Sequence, residues 1–137
     1  MITHALIAIL IATLAWFIAA AALFFNPFVD RLYRGEEQHP AVRSLPQSPE
    51  TIAKILGAVA LQCVAWAYVY TLVEPALAGG WIGKGLSFGL ILVLTKILPR
   101  DVDRVLLTTY PPVRMTVEII IGIVCAFIVG LVFAYTL

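Results

Sequence analysis

Four long apolar blocks divide the chain: Ile2–Phe25, Thr51–Leu77, Trp81–Leu98 and Met115–Leu137. An α-helix rises about 1.5 Å per residue, so about 20 apolar residues cross a hydrocarbon core about 30 Å thick. The first, second and fourth blocks exceed that length. In the third, Lys84 and Lys96 bracket only 11 uncharged residues, and it reaches both interfaces if the two lysines extend along their aliphatic stems. One such block could be a core helix of a soluble domain. Four in 137 residues, with 12% charged residues, leave no polar shell to enclose them. The expected fold is an all-α integral membrane protein: one membrane domain over residues 1–137, a bundle of four transmembrane helices. The first block lacks a basic leader and is too long for the apolar run of a signal peptide, so it reads as a retained helix.

The cations set the expected threading. Arg31, Arg34, Arg43 and Lys54 flank the first connector (residues 26–50), and Lys96, Arg100, Arg104 and Arg114 flank the third (99–114); only Lys84 belongs to the opposite side. Eight cations against one place both connectors in the cytoplasm and both termini on the non-cytoplasmic side of a cell inner (plasma) membrane. In the first connector Asn26-Pro27 stops a helix, while Pro40, Pro46 and Pro49 keep the chain extended. Ser48-Pro49-Glu50 reads as the start of the next helix, and the segment as a whole as a solvated link. In the third connector, Val102, Val105, Leu106 and Thr109 share a helical face, which predicts a short interfacial helix between spans three and four.

In lipid, small residues mark where helix backbones approach. Ala12, Ala15, Ala19 and Ala22 form such a row in the first span, Gly85 and Gly89 in the third, and Gly122 and Gly130 in the fourth. Trp66, Tyr68, Tyr70, Trp81 and Tyr135 supply candidates for an aromatic belt at the outer interface.

Ionisable residues inside a span are candidates for function. Arg114 and Glu118 share a face at the start of the fourth span, with Lys96 and Lys54 expected at the same level as a charge cluster that fixes register. Glu74 and Lys84 sit together at the opposite end, and Gln62 is the one strongly polar group expected near mid-membrane. His4 and His39 fall on opposite sides and cannot share a metal. Cys63 and Cys125 read as buried thiols, and no nucleophile elbow, phosphate loop or paired-cysteine motif appears. No enzyme activity, cofactor, metal or nucleic-acid partner is expected.

Two segments carry a family resemblance. Phe24-Phe25-Asn26-Pro27 within Ala21–Arg34, and the basic-then-acidic pattern of Arg114 and Glu118 within Pro111–Val124, resemble the first-helix ending and fourth-helix start of a bacterial membrane-protein family known as domain of unknown function seventeen-sixty-one. The resemblance implies four helices and supplies no activity. This chain departs from the family pattern in its long charged first connector and in lacking a glycine-aromatic signature after Glu118.

Packing seams without chemical motifs lead to an expected accessory or scaffold subunit, bound in the bilayer to a larger membrane assembly, an energy-transducing one among the options. The alternative is a small self-associating transporter or channel using Glu118 and Gln62. A membrane enzyme acting on lipid or quinone has no recognisable acid–base pair to support it.

Overall fold

The computed structural model describes residues 2–42, 46 and 48–137, and among them every regular element is helical. Helix α1 spans Ile2–Phe24, α2 Pro27–Arg34, α3 Pro49–Val73, α4 Trp81–Leu92, α5 Leu98–Leu107 and α6 Pro112–Thr136. Four helical stretches are long and apolar enough to cross a membrane: Thr3–Phe24, Pro49–Ala76, Trp81–Leu107 and Pro112–Thr136. Arg43, one of the connector cations, lies outside the described residues.

The third stretch differs from the expectation. No separate interfacial helix follows a short span; the helix continues from Trp81 to Leu107 through a π-helical turn at Val93–Ile97. A proline within a helix clashes with the carbonyl four residues back and brings no N–H. Here the turn widens just ahead of Pro99, with the Leu98 N–H donating to the carbonyl of Val93, and the helix passes the proline unbroken.

The first connector also differs from a plain solvated link. Asn26 stops α1 and at once starts α2: its Oδ1 accepts the N–H of Phe28 at 2.8 Å, and Pro27 occupies the first turn. Asp30 lies in the first turn, favourable to the helix dipole, and pairs with Arg34 one turn on at 2.7 Å. The Ser48 hydroxyl accepts the Thr51 N–H at 3.2 Å and begins α3 at Pro49. Between α3 and α4, a short 3-10 turn at Glu74–Ala76 leads to Gly79, whose φ of 90° suits a residue without a Cβ.

Helix α1 packs between α3 and α6, and α6 in turn packs between α1 and α4. The α4–α6 seam is the closest. A Cβ built on Gly89 would stand 2.9 Å from the Phe127 Cα, and one on Gly85 would stand 2.8 Å from the Leu131 Cα. Gly130 faces both glycines from α6, its own place for a Cβ filled by their backbone. Ala8 and Ala12 bring α1 into the core, fully buried, while Ala15 and Ala19 are half-buried and Ala22 is exposed. The alanine seam therefore runs through Ala8 and Ala12 and fades before Ala22. Gly122 lies against the Ile97 side chain rather than against backbone.

Helices α3 and α4 meet through long side chains instead. Tyr70 and Phe88 stack edge-on at 5.0 Å, Phe133 of α6 completes the cluster, and all three are buried. Tyr70 is thus a core residue and not part of an aromatic belt. Trp81 and Tyr135, in edge contact at 5.5 Å near the end where both termini lie, remain exposed.

Candidate functional site

Three polar groups of different depth can be followed along the bundle. At the end shared by the termini, Lys84 of α4 pairs with Glu74. At the opposite end, α5 is tied to α6. The Arg104 guanidinium donates to Glu118 Oε2 at 2.7 Å, and the Tyr110 hydroxyl donates to Glu118 Oε1 at 2.5 Å. Buried Asp101 accepts from Arg100 at 2.8 Å and lies 3.7 Å from Arg104. Burial, then the hydrogen bond to the Glu118 carboxylate, pushes the Tyr110 phenol well above its usual range, because ionising it would place two negative charges together.

This arrangement rewrites the expected charge cluster. Glu118 is held by Arg104 and not by Arg114. The Arg114 guanidinium instead lies over the ring of Tyr33, 4.1 Å from its centroid, and the Arg114 backbone N–H donates to Glu36 at 3.0 Å. The α2 end of the first connector is therefore docked on the start of α6 through Tyr33 and Glu36. Burial, followed by the charge of Glu118, raises the Tyr33 phenol. Lys54 is absent from the cluster: it pairs with Glu50 at 2.6 Å on an exposed face of α3. Sequence spacing placed these residues at one height but could not say which way each faced.

Lys96 departs furthest from expectation. Because the third helix runs on to Leu107, Lys96 lies 15 residues from Trp81 and 11 from Leu107, near its middle rather than at its end. Its ammonium is 4.2 Å from the ring centroids of both Trp16 (α1) and Trp66 (α3), which stack on each other at 4.9 Å. It donates to Gln62 Oε1 at 2.5 Å, while the Gln62 amide donates to the carbonyl of Ala58 at 3.3 Å. Two aromatic faces and one amide oxygen stabilise a cation. Trp66 accordingly belongs to the interior and not to an interfacial belt. No carboxylate pairs with Lys96 among the described residues. The charged and titratable groups facing it are Arg100 one turn along its own stretch and the thiols of Cys63 (α3) and Cys125 (α6), both buried and free; α1 contributes none.

The cage was missed at the sequence level because its members come from three helices, and because Lys96 was placed at a helix end. The available signal was the mid-span pairing of Trp16 and Trp66 with a lone lysine. No group of three His, Cys, Asp or Glu that could hold a metal occurs among the described residues. His4 and His39 do not meet. Comparison of the chain with protein-family models, with curated proteins and with solved structures found no match.

Proposed function

We propose that this chain is an integral protein of the inner (plasma) membrane, threaded four times with both termini on the non-cytoplasmic side. In this reading it serves as a small accessory subunit that packs against a larger membrane assembly. Lateral faces rich in exposed Leu, Ile, Val and Phe support placement in a bilayer, and the eight-to-one division of cations supports its orientation.

One observation carries the subunit role: the described residues offer extensive apolar surface and, among them, no polar passage. Tyr70, Phe88 and Phe133 fill the centre. One groove, 390 Å³, opens between α1 and α3 and is lined by Phe17, Phe24, Ile52 and Ile55 among other apolar residues. The groove between the third helix and α6, 290 Å³, is lined by Val93, Ile97, Val102 and Ile123 with Asp101 at its edge. A conduit through one bundle would need polar groups in series. Photo-crosslinkers at Leu61 and Leu72, exposed on α3, test the role in native membranes. One discrete protein adduct at stoichiometric yield is expected; adducts to lipid alone reject it.

A second reading, a proton- or ion-handling protein, is favoured by Lys96 and Gln62 at mid-helix. It is tested by flux into proteoliposomes carrying wild type or Lys96→Met; equal flux rejects it.

A further inference from the structure

Lys96 is distinguished by two independent features. It is a cation near the middle of a helix long enough to span a bilayer, caged without a counter-carboxylate among the described residues. It also lies within the only π-helical turn among the described residues, Val93–Ile97. Such turns hold one residue more than the α-helix around them and occur often where a helix does work.

The protonated and neutral forms of this side chain want different surroundings. The ammonium gains from the faces of Trp16 and Trp66 and from the Gln62 oxygen. The free amine loses the cation–π attraction and the charge assistance of the Gln62 bond, keeping only weak neutral N–H contacts. Any change of protonation is therefore linked to occupancy of the cage, by the same free energy in both directions.

The helix supplies a way to move. When a wide turn shifts along a helix, only residues between its old and new positions change phase, each by about 100° and about 1.5 Å. The parts beyond keep their places. Here both flanks are fastened: Gly85 and Gly89 are locked backbone-to-backbone against α6, and Arg104 is tied to Glu118. The turn lies between these fasteners; it rests on α6 through the Ile97 side chain against Gly122 and meets α1 and α3 through the Lys96 side chain.

We propose that Lys96 and the Val93–Ile97 turn form a proton-operated switch. With the proton bound, Lys96 is held by Trp16, Trp66 and Gln62. When Lys96–NH3+ gives its proton to water, leaving Lys96–NH2, the turn migrates and the amine swings out of the cage. Reprotonation reverses both steps. This goes beyond the subunit role and rests only on the transmembrane placement of the third helix.

Two native reporters flank the cage. In Trp81→Phe protein in lipid nanodiscs, all tryptophan emission comes from Trp16 and Trp66, and titration from about pH 6 to pH 11 should show a one-proton transition. Lys96→Met should abolish it, and so should Lys96→Arg, which keeps its charge throughout. Alkylation of Cys63 and Cys125 by a small maleimide reads the movement. The ratio of wild-type to Lys96→Arg rates should rise through the same transition, opposite to the fall that loss of the neighbouring positive charge alone would cause. A flat emission curve, a transition that survives Lys96→Met, or a rate ratio that never changes would overturn the switch. Resistance of each protein to carbonate extraction tests the membrane placement separately.

Discussion

A methyl group added at Gly130 meets backbone on the facing helix. It would collide with the Gly85 carbonyl oxygen and stand 2.8 Å from the Gly89 nitrogen, where about 3.5 Å is comfortable. Neither partner is a side chain that can turn away, so α4 and α6 must separate by roughly 1 Å, a shift set by the Gly85 oxygen. A gap of that size forfeits about a quarter to a half of each dispersion contact, each contact being about 0.1–0.2 kcal/mol. Over a few tens of atom pairs along the seam the loss is about 3 kcal/mol. Replacing glycine by alanine within a helix returns about 1 kcal/mol. Gly130→Ala should thus cost about 2 kcal/mol, enough to lower the folded-to-unfolded ratio about thirtyfold. Gly57, with nothing within 4 Å of its built Cβ, provides the control and should gain up to about 1 kcal/mol. Gly122 is intermediate, because the Ile97 Cδ1 at 3.0 Å belongs to a side chain that can shift. Reversible unfolding in mixed micelles with increasing SDS fraction measures all three. If Gly130→Ala is as stable as wild type, or Gly57→Ala loses as much, the seam is not where the structure puts it.

Breaking the tie between α5 and α6 with Arg104→Ala should cost about 1–2 kcal/mol in the same assay, reduced from a fully buried pair because both side chains keep some solvent contact. Lys54→Ala, removing an exposed pair with Glu50, should change stability by less than about 0.5 kcal/mol. Burial and the Glu118 hydrogen bond raise the folded-state value of Tyr110, so its contribution is fully present below its unfolded value near pH 10 and is lost as pH climbs toward the higher folded value. Stability should accordingly fall above about pH 10. Tyrosinate absorbance should show Glu118→Gln moving a tyrosine titration to lower pH, and an unmoved curve would reject the contact.

Local chemistry made some of this architecture legible. Ser48-Pro49-Glu50 announced the start of α3, and the glycines at 85, 89 and 130 announced close approach. Other features were hidden because opposing signals shared the same residues. Asn26-Pro27 is both a stop and a start, so α2 was absorbed into a connector. Pro99 looked like the end of a span because sequence periodicity does not show the widened turn that accommodates it. Ending that helix at Leu98 puts Lys96 at a helix end and so conceals its cage. Glu118, Arg114 and Lys54 do lie in the first turns of their helices, but partner choice depends on rotation about each helix. That rotation is set by the packing of Gly89 against Phe127 and Ala12 in the core, which no single segment encodes.

The direction and number of crossings decide where every charged group of the protein lies. In cells carrying Cys63→Ala and Cys125→Ala, a single cysteine is introduced at Glu37 in the first connector or at Gly80 beside the start of α4. A membrane-impermeant maleimide is then applied before and after permeabilisation. Labelling of the Gly80 position in intact cells, with the Glu37 position reached only after permeabilisation, is the predicted result. Labelling of Glu37→Cys from outside, or of both positions from the same side, would contradict it.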